Sequence, residues 1–310
     1  FSAIFDFYYL NGMSRGAANV HMMGIITAWF DRSIRGRAAG FVVIGSGFAI
    51  ILSGKLIPYV NGLKGPEGWR TNWMVLAAVV AVIAAHAWLV LRNRPEDKGL
   101  QPLGSEERTF VPVRHDASPA GVSIYRNRTL YLLGSIYFLF GYTYVIYATF
   151  IVTALVRERG FSEGVAGNFW MWVGFLSLFS GPVFGALSDR LSRRAGLMVV
   201  FSLQAVSYLL IATKLPGLFL YLSIACYGLV AWSIPSIMAA AMGDYVGVHK
   251  VAASFGLVTF IFGLGQITGP AIAGILAERT GSFSGSFYMA AAFAGAAIVL
   301  SGFLRKPEGA

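Results

Sequence analysis

Charge is scarce in this chain. Asp, Glu, Lys and Arg make up 12% of its 310 residues, and only 14 of them are acidic. Soluble domains carry about twice that share, so a soluble globular protein is excluded. There is one cysteine, Cys226, set inside an apolar stretch, which rules out an intrachain disulfide. Four histidines are scattered, with no metal-ligand spacing. There is no Ser/His/Asp cluster in an apolar setting and no phosphate-binding glycine loop. An enzyme is therefore not expected, nor a metal or other cofactor. No signal peptide opens the chain. Residue 1 is Phe, and the first residues read as the interior of an apolar helix.

What is present is apolar surface. Hydrophobic residues reach 56%, with a mean hydropathy of +0.66. A span needs about 20 apolar residues. Nine stretches qualify: 5–29, 38–60, 71–92, 130–156, 164–187, 196–213, 217–243, 251–277 and 284–304. The expected class is an all-α polytopic membrane protein, because helices satisfy their own backbone in lipid.

The net charge of +10 invites a nucleic-acid reading, but its distribution argues for topology instead. If the loop around 188–195 is placed inside and the spans alternate, sixteen Lys and Arg fall in inside loops and six in outside loops. Arg15 and Lys55 fall within spans. That bias predicts a cytoplasmic C-terminus. The longest polar stretch carries Pro95, Pro102, Pro112 and Pro119 and reads as a linker. The expected organisation is a bundle over 1–92, a cytoplasmic linker over 93–128 and a six-helix bundle over 129–310.

The three spans before the linker match the last three. Gly36-Arg37-Ala38-Ala39-Gly40-Phe41 parallels His249-Lys250-Val251-Ala252-Ala253-Ser254-Phe255-Gly256, and Arg94-Pro95-Glu96 parallels Lys306-Pro307-Glu308. Parallel repeats of this kind predict about 90 further residues and three spans upstream.

One loop carries a motif: Gly185-Ala186-Leu187-Ser188-Asp189-Arg190-Leu191-Ser192-Arg193-Arg194-Ala195-Gly196. Its glycines permit a tight turn between closely packed helices. The pattern resembles the signature loop of the major facilitator superfamily. Gly265-Gln266-Ile267-Thr268-Gly269-Pro270 resembles that superfamily's G-x-x-x-G-P motif, with a looser Gly45-Ser46-Gly47, Ser53-Gly54 and Pro58 in the 38–60 span. The run from Gly269 to Phe287 is similar to monocarboxylate and oxalate–formate permeases. Trp232-Ser233-Ile234-Pro235 and Phe262-Gly263-Leu264-Gly265-Gln266 look more like a bacterial branch without assigned substrates. The resemblance implies that the nine spans are helices 4–12 of a twelve-helix transporter truncated at its N-terminus. Two departures stand out: Tyr8 occupies a position that is arginine in many proton-coupled members, and Val165–Ala186 carries no charge.

By that resemblance the spans at 5–29, 130–156 and 217–243 line a central cavity. An ionisable residue at membrane depth is a functional candidate, because charge there is costly. Arg15 qualifies, with Asn19 one turn on; together they can hold an anion, or Arg15 pairs with a structural carboxylate. His21 is a candidate proton carrier or a packing histidine. His86 reads as structural, and Lys55 as a snorkelling residue or part of an anion vestibule. Tyr137, Tyr144 and Tyr147 fall near one helix face, as cavity hydroxyls or as packing. Asn168, Trp232, Ser236 and Gln266 complete the candidate substrate set, and Pro235 promises a kink. The candidate gating set is Gly185, Asp189, Arg190, Arg193, Arg194, Gly269 and Pro270. The resemblance implies that Asp189 meets the N-terminus of the 38–60 helix near Arg35 or Arg37.

The function these readings favour is a secondary active transporter of a small solute, taken to be a small organic anion, working by alternating access. Its expected partners are the solute and the bilayer, with protons as candidate coupling ion. Nucleic acid is not expected, and the expected state is a monomer in the inner (plasma) membrane. Asp6, Glu158, Asp189 and Asp244, the acidic residues nearest membrane depth, all fall at helix ends or loops. Two alternatives stay open: an exporter of lipophilic compounds, and a non-transporting sensor on the same fold.

Overall fold

The computed structural model describes Gly12, Met22, Ile25, Ile26 and residues 28–30, 35–104, 127–213, 215–246 and 251–305. The helices are α1 (Arg35–Lys64), α2 (Gly68–Val90), α3 (Arg128–Arg157), α4 (Glu163–Leu191), α5 (Arg193–Ala212), α6 (Gly217–Val230), α7 (Ser233–Val246), α8 (Val251–Thr280) and α9 (Ser284–Gly302). Among the described residues there is no strand, only an isolated bridge between Phe30 and Leu103. Seven stretches of the described residues are long and apolar enough to cross a membrane. One of them, Ile44–Val90, runs through α1 and α2, and so covers most of two predicted spans, 38–60 and 71–92. The first predicted span lies almost wholly outside the described residues.

Helix starts follow local chemistry. Asn127 caps α3 by accepting from Thr129 N at 2.9 Å. Ser162 caps α4 through Val165 N, and Ser192 caps α5 through Ala195 N at 3.1 Å. Each cap meets an amide that the first turn leaves unpaired. Between α1 and α2 lies a short 3-10 turn at Gly65–Glu67, where Gly65 takes a φ of +57° that other residues resist.

The chain divides into two compact units, Phe1–Gly45 with Arg70–Arg114, and Ser46–Trp69 with His115–Ala310. In the first, Trp29 Nε1 donates to Arg92 O at 2.8 Å and Leu103 N donates to Trp29 O at 2.8 Å. These bonds tie the Trp29–Phe30 corner to the stretch that follows α2. The apolar residues of α2 stay largely exposed, Trp88 at 82% and Val82 at 70%, as expected of a surface that meets lipid.

The second unit holds the larger core. Here α3 packs along α8, α9 against α5, and α4 against α6. Small residues set these approaches, since lipid supplies no hydrophobic drive between helices. A Cβ at Gly265 or Gly269 of α8 would overlap the carbonyls of Phe138 and Tyr142 on α3, and one at Gly141 would overlap Phe262 O. The Ser46–Trp69 segment docks on α4 the same way: a Cβ at Gly54 would stand 2.6 Å from Gly167 O, and one at Gly174 2.9 Å from Gly47 O.

One difference from the sequence reading matters. The 217–243 stretch was expected as a single helix kinked by Pro235, but the helix stops at Val230 and restarts at Ser233. Pro235 has no N–H for Ala231 O, and its ring crowds that carbonyl. The break falls one turn upstream, where Ser180 of α4 takes over: its Oγ accepts from Trp232 N at 3.1 Å, and its carbonyl accepts from Ser233 Oγ at 3.0 Å.

The α3–α8 seam gives a signed test. Gly265→Val forces a branched side chain against the Phe138 carbonyl and is expected to cost about 1–3 kcal/mol. Gly263→Ala, where nothing lies within 4 Å of the added carbon, is expected to leave stability unchanged or raise it. Thermal unfolding of the detergent-solubilised protein should move the two midpoints apart; equal midpoints would refute the seam's role.

Candidate functional site

Three polar residues of the second unit stand at the middle of their helices. Tyr144 lies at the midpoint of α3, Gln266 at the midpoint of α8, and Trp232 in the break halfway along 217–246. They meet. Gln266 Nε2 donates to Tyr144 Oη. The Tyr144 and Trp232 rings pack edge to face with centroids 6.1 Å apart. Phe262, one turn before Gln266 on α8, stacks on Tyr137 at 4.3 Å and on Tyr144 at 6.0 Å. Phe140 stacks on Tyr144 at 4.6 Å. The result is an aromatic layer with amide and indole groups at mid-membrane depth.

The layer's hydrogen-bonding capacity is unequal. Trp232 Nε1 is buried and meets no hydrogen-bond partner among the described residues. The Gln266 amide keeps a second N–H beyond the one given to Tyr144. Tyr147, a turn further along α3, belongs to the core: it is fully buried, stacks on Tyr227 at 4.0 Å, and its hydroxyl lies 3.1 Å from Ser223 Oγ. Tyr227 in turn donates to the Tyr144 carbonyl at 3.0 Å.

The remaining candidates sit elsewhere. Asn168 Oδ1 accepts from Lys55 Nζ at 2.6 Å, near a second bond from Asn61 Nδ2 to Glu163 Oε2 at 2.8 Å. The first borders a shallow cleft of about 380 Å³ with Gly54, Pro58 and Tyr59, and the second a cleft of about 610 Å³ with Pro58, Gly62 and Trp69. Ser236 is exposed on α7 and would lie 3.5 Å from a Cβ at Gly185. His86 is exposed on α2. Arg15, Asn19 and His21 lie outside the described residues. Phe140 and Ser180 carry no signal in the sequence, Phe140 being one among 24 phenylalanines; Phe262 stands there only as the first residue of the 262–266 motif, not as a candidate site residue.

At one end of this unit the signature loop forms a charged knot. Arg193 pairs with Asp189 on the preceding helix, reaches Asp244 Oδ2 of α7 at 2.7 Å through Nε, and donates to Ser188 Oγ at 2.8 Å. Arg190 and Arg194 point outward as exposed residues. Gly196 allows the turn, since a Cβ there would stand 2.5 Å from Ser188 Cβ. Gly269 is part of the α3–α8 seam, and Pro270 follows it inside α8. The side chains of Arg35 and Arg37 lie outside what the structure describes, so the expected meeting with Asp189 does as well. At the other end, Glu158 accepts from Phe283 N and from Ser282 Oγ at 3.0 Å, while Arg159 donates to the last carbonyls of α5.

Comparison with known proteins gives a consistent outcome. A family model described as "Uncharacterised MFS-type transporter YbfB" matches residues 1–306. The hexuronate transporter of Bacillus subtilis is 23% identical over 97% of this chain and 73% of its own length. The protein named "Probable sulfoacetate transporter SauU" of Cupriavidus necator is 24% identical over 96% of this chain and 71% of its own. Among solved structures, a bacterial homologue of the human lysosomal transporter Spinster, crystallised inward-facing and unoccupied, superposes with a TM-score of 0.57. At 15% identity over 90% of this chain and 71% of that one, it shows a shared fold.

The knot's value is testable apart from transport. Arg193→Ala is expected to cost about 1 kcal/mol, because its ion pairs are partly exposed and screened. Arg193→Lys should recover only part, since a single Nζ cannot stand both where Nε meets Asp244 and where Nη1 meets Ser188 and Asp189. Hydrogen exchange of the 188–196 amides should quicken in the order wild type, Lys, Ala. A wild-type rate in the Ala variant would show the knot to be idle.

Proposed function

Because this chain belongs to the MFS-type transporter family, and so is a multi-pass membrane transporter rather than an enzyme, we propose that it carries a small organic anion by alternating access. The observation that carries this reading is the interrupted helix at Trp232. In secondary transporters, substrate sites lie near mid-membrane where a helix breaks and frees polar groups. Here the break coincides with an unpartnered indole N–H and with the Gln266–Tyr144 pair. These surplus groups are donors, which suits carboxylate or sulfonate oxygens. The names of the hexuronate and sulfoacetate transporters, relatives over nearly the whole chain, support the same class.

In this proposal Arg15 supplies the positive charge, with Asn19 one turn on and His21 further along the same span. The alternating bodies are residues 1–92 and 129–310, joined by the linker 93–128. The Lys and Arg distribution supports a plasma-membrane protein with its C-terminus in the cytoplasm. Protons are the candidate coupling ion, with His21 as carrier. Of the described acidic residues, Glu158, Glu163, Asp189, Asp244 and Glu278 stand at helix ends, and Glu67, Glu96 and Asp97 in short 3-10 turns. The protein acts as a monomer.

The test is uptake into proteoliposomes of hexuronate, sulfoacetate and a simple monocarboxylate, with and without an imposed pH gradient. Saturable uptake of at least one anion is expected. Trp232→Phe keeps the ring but removes the N–H. A hydrogen bond to a charged group is worth about 1.5–3 kcal/mol, so KM should rise about tenfold or more, with thermal stability near wild type. The aromatic layer also suits lipophilic compounds, so a lipophilic dye belongs in the panel. Movement of the dye with no anion transported would replace the proposal with export.

A further inference from the structure

One buried side chain in the second unit lacks what burial demands. Gln204, in the middle of α5, is fully buried, yet neither its Oε1 nor its Nε2 meets a hydrogen-bond partner among the described residues. Rotating the amide exchanges its two ends and leaves the same demand. Tyr208 stands one turn on, on the same helix face, and is also fully buried. Among the described residues its hydroxyl makes no hydrogen bond of full geometry, although Thr143 of α3 lies beside it. Thr143 gives its own proton to Leu139 O at 2.9 Å, so toward the phenol it can only accept, and the phenol oxygen still has no donor.

The neighbouring hydroxyls cannot turn to help. Ser207 and Ser223 each donate to the other's carbonyl at 2.8 Å, and the Tyr147 hydroxyl rests 3.1 Å from Ser223 Oγ. That cluster is saturated. Gln204 and Tyr208 are not.

The unmet groups select their occupant. A cation would satisfy the Gln204 oxygen and be repelled by its NH2. An anion would do the reverse. Lipid chains offer neither donor nor acceptor. Only a small molecule that both donates and accepts answers the amide and the phenol together. We propose that water bound inside this helical bundle bridges the Gln204 amide to the Tyr208 hydroxyl. The site lies behind the aromatic layer: the Tyr208 ring is 5.8 Å from Tyr147 and 6.3 Å from Tyr227, and Tyr227 holds the Tyr144 carbonyl. Bound water there keeps the tyrosine stack satisfied without a protein group that would fix its position.

X-ray radiolytic labelling of the full chain in lipid nanodiscs, in water enriched in oxygen-18, reads this directly. Hydroxyl radicals form from bound water and label side chains beside it. Tyr208 is expected to take up label at a rate close to that of exposed Tyr221. Phe169, which is buried on α4, is expected to stay unlabelled. Tyr208 labelling as low as Phe169 would overturn the proposal. Gln204→Leu removes the amide's demand, and Tyr208 labelling should then fall several-fold; unchanged labelling in that variant would also overturn it. Should the variant fail to fold, the wild-type comparison of Tyr208 with Phe169 decides alone.

Discussion

A bilayer offers the backbone no hydrogen bonds, so every interruption of a spanning helix must be answered from within the protein. The α6–α7 break depends on that answer. Pro235 forces the interruption, and Ser180 makes it tolerable by serving Trp232 N and Ser233 Oγ at once. The same pair of bonds fixes Trp232 beside Tyr144. A structural repair and the placement of the candidate site are therefore one event. Losing Ser180 would free two polar groups at mid-membrane and release the indole together.

The aromatic layer relies on a second constraint, the closeness of α3 and α8. Glycines at 141, 265 and 269 let the helices touch backbone to backbone, which brings Gln266 within reach of the Tyr144 hydroxyl. With larger residues at the seam the helices would separate, and the amide would fall short. Packing and polar recognition are thus set by the same small residues. This also explains why Tyr147, on the same helix as Tyr144, has a different role. One turn further along α3 it meets α6 through Tyr227 and Ser223 rather than α8, and the core closes over it.

The fold class was legible in the sequence because it rests on hydropathy and charge, which act over twenty residues at a time. The signature loop was legible because Gly196, Asp189 and Arg193 each answer a local demand of one turn. The break at Ala231–Trp232 was only half legible. Pro235 announced a disturbance, but whether a helix kinks or stops depends on partners, and Ser180 lies some fifty residues away with nothing to single it out. The stacking of Phe140 and Phe262 was invisible for the same reason, although Phe262 stood in a motif: aromatic stacking is a property of facing helices, not of spacing along one. Lys55 and Asn168 were each noticed, but their bond belongs to a pairing of α1 with α4 that no local pattern encodes.

The neutrality of the described layer has a consequence for a carrier. A binding site on a transport cycle must hold its solute and also let it go, so its grip has to stay moderate. A lone cation at mid-membrane would be expensive to keep when empty. Neutral donors avoid that cost: an indole N–H and an amide N–H each add only a few kcal/mol toward an anion and need no counter-ion in the empty state. A grip built from a few such neutral bonds stays moderate, which is what release requires.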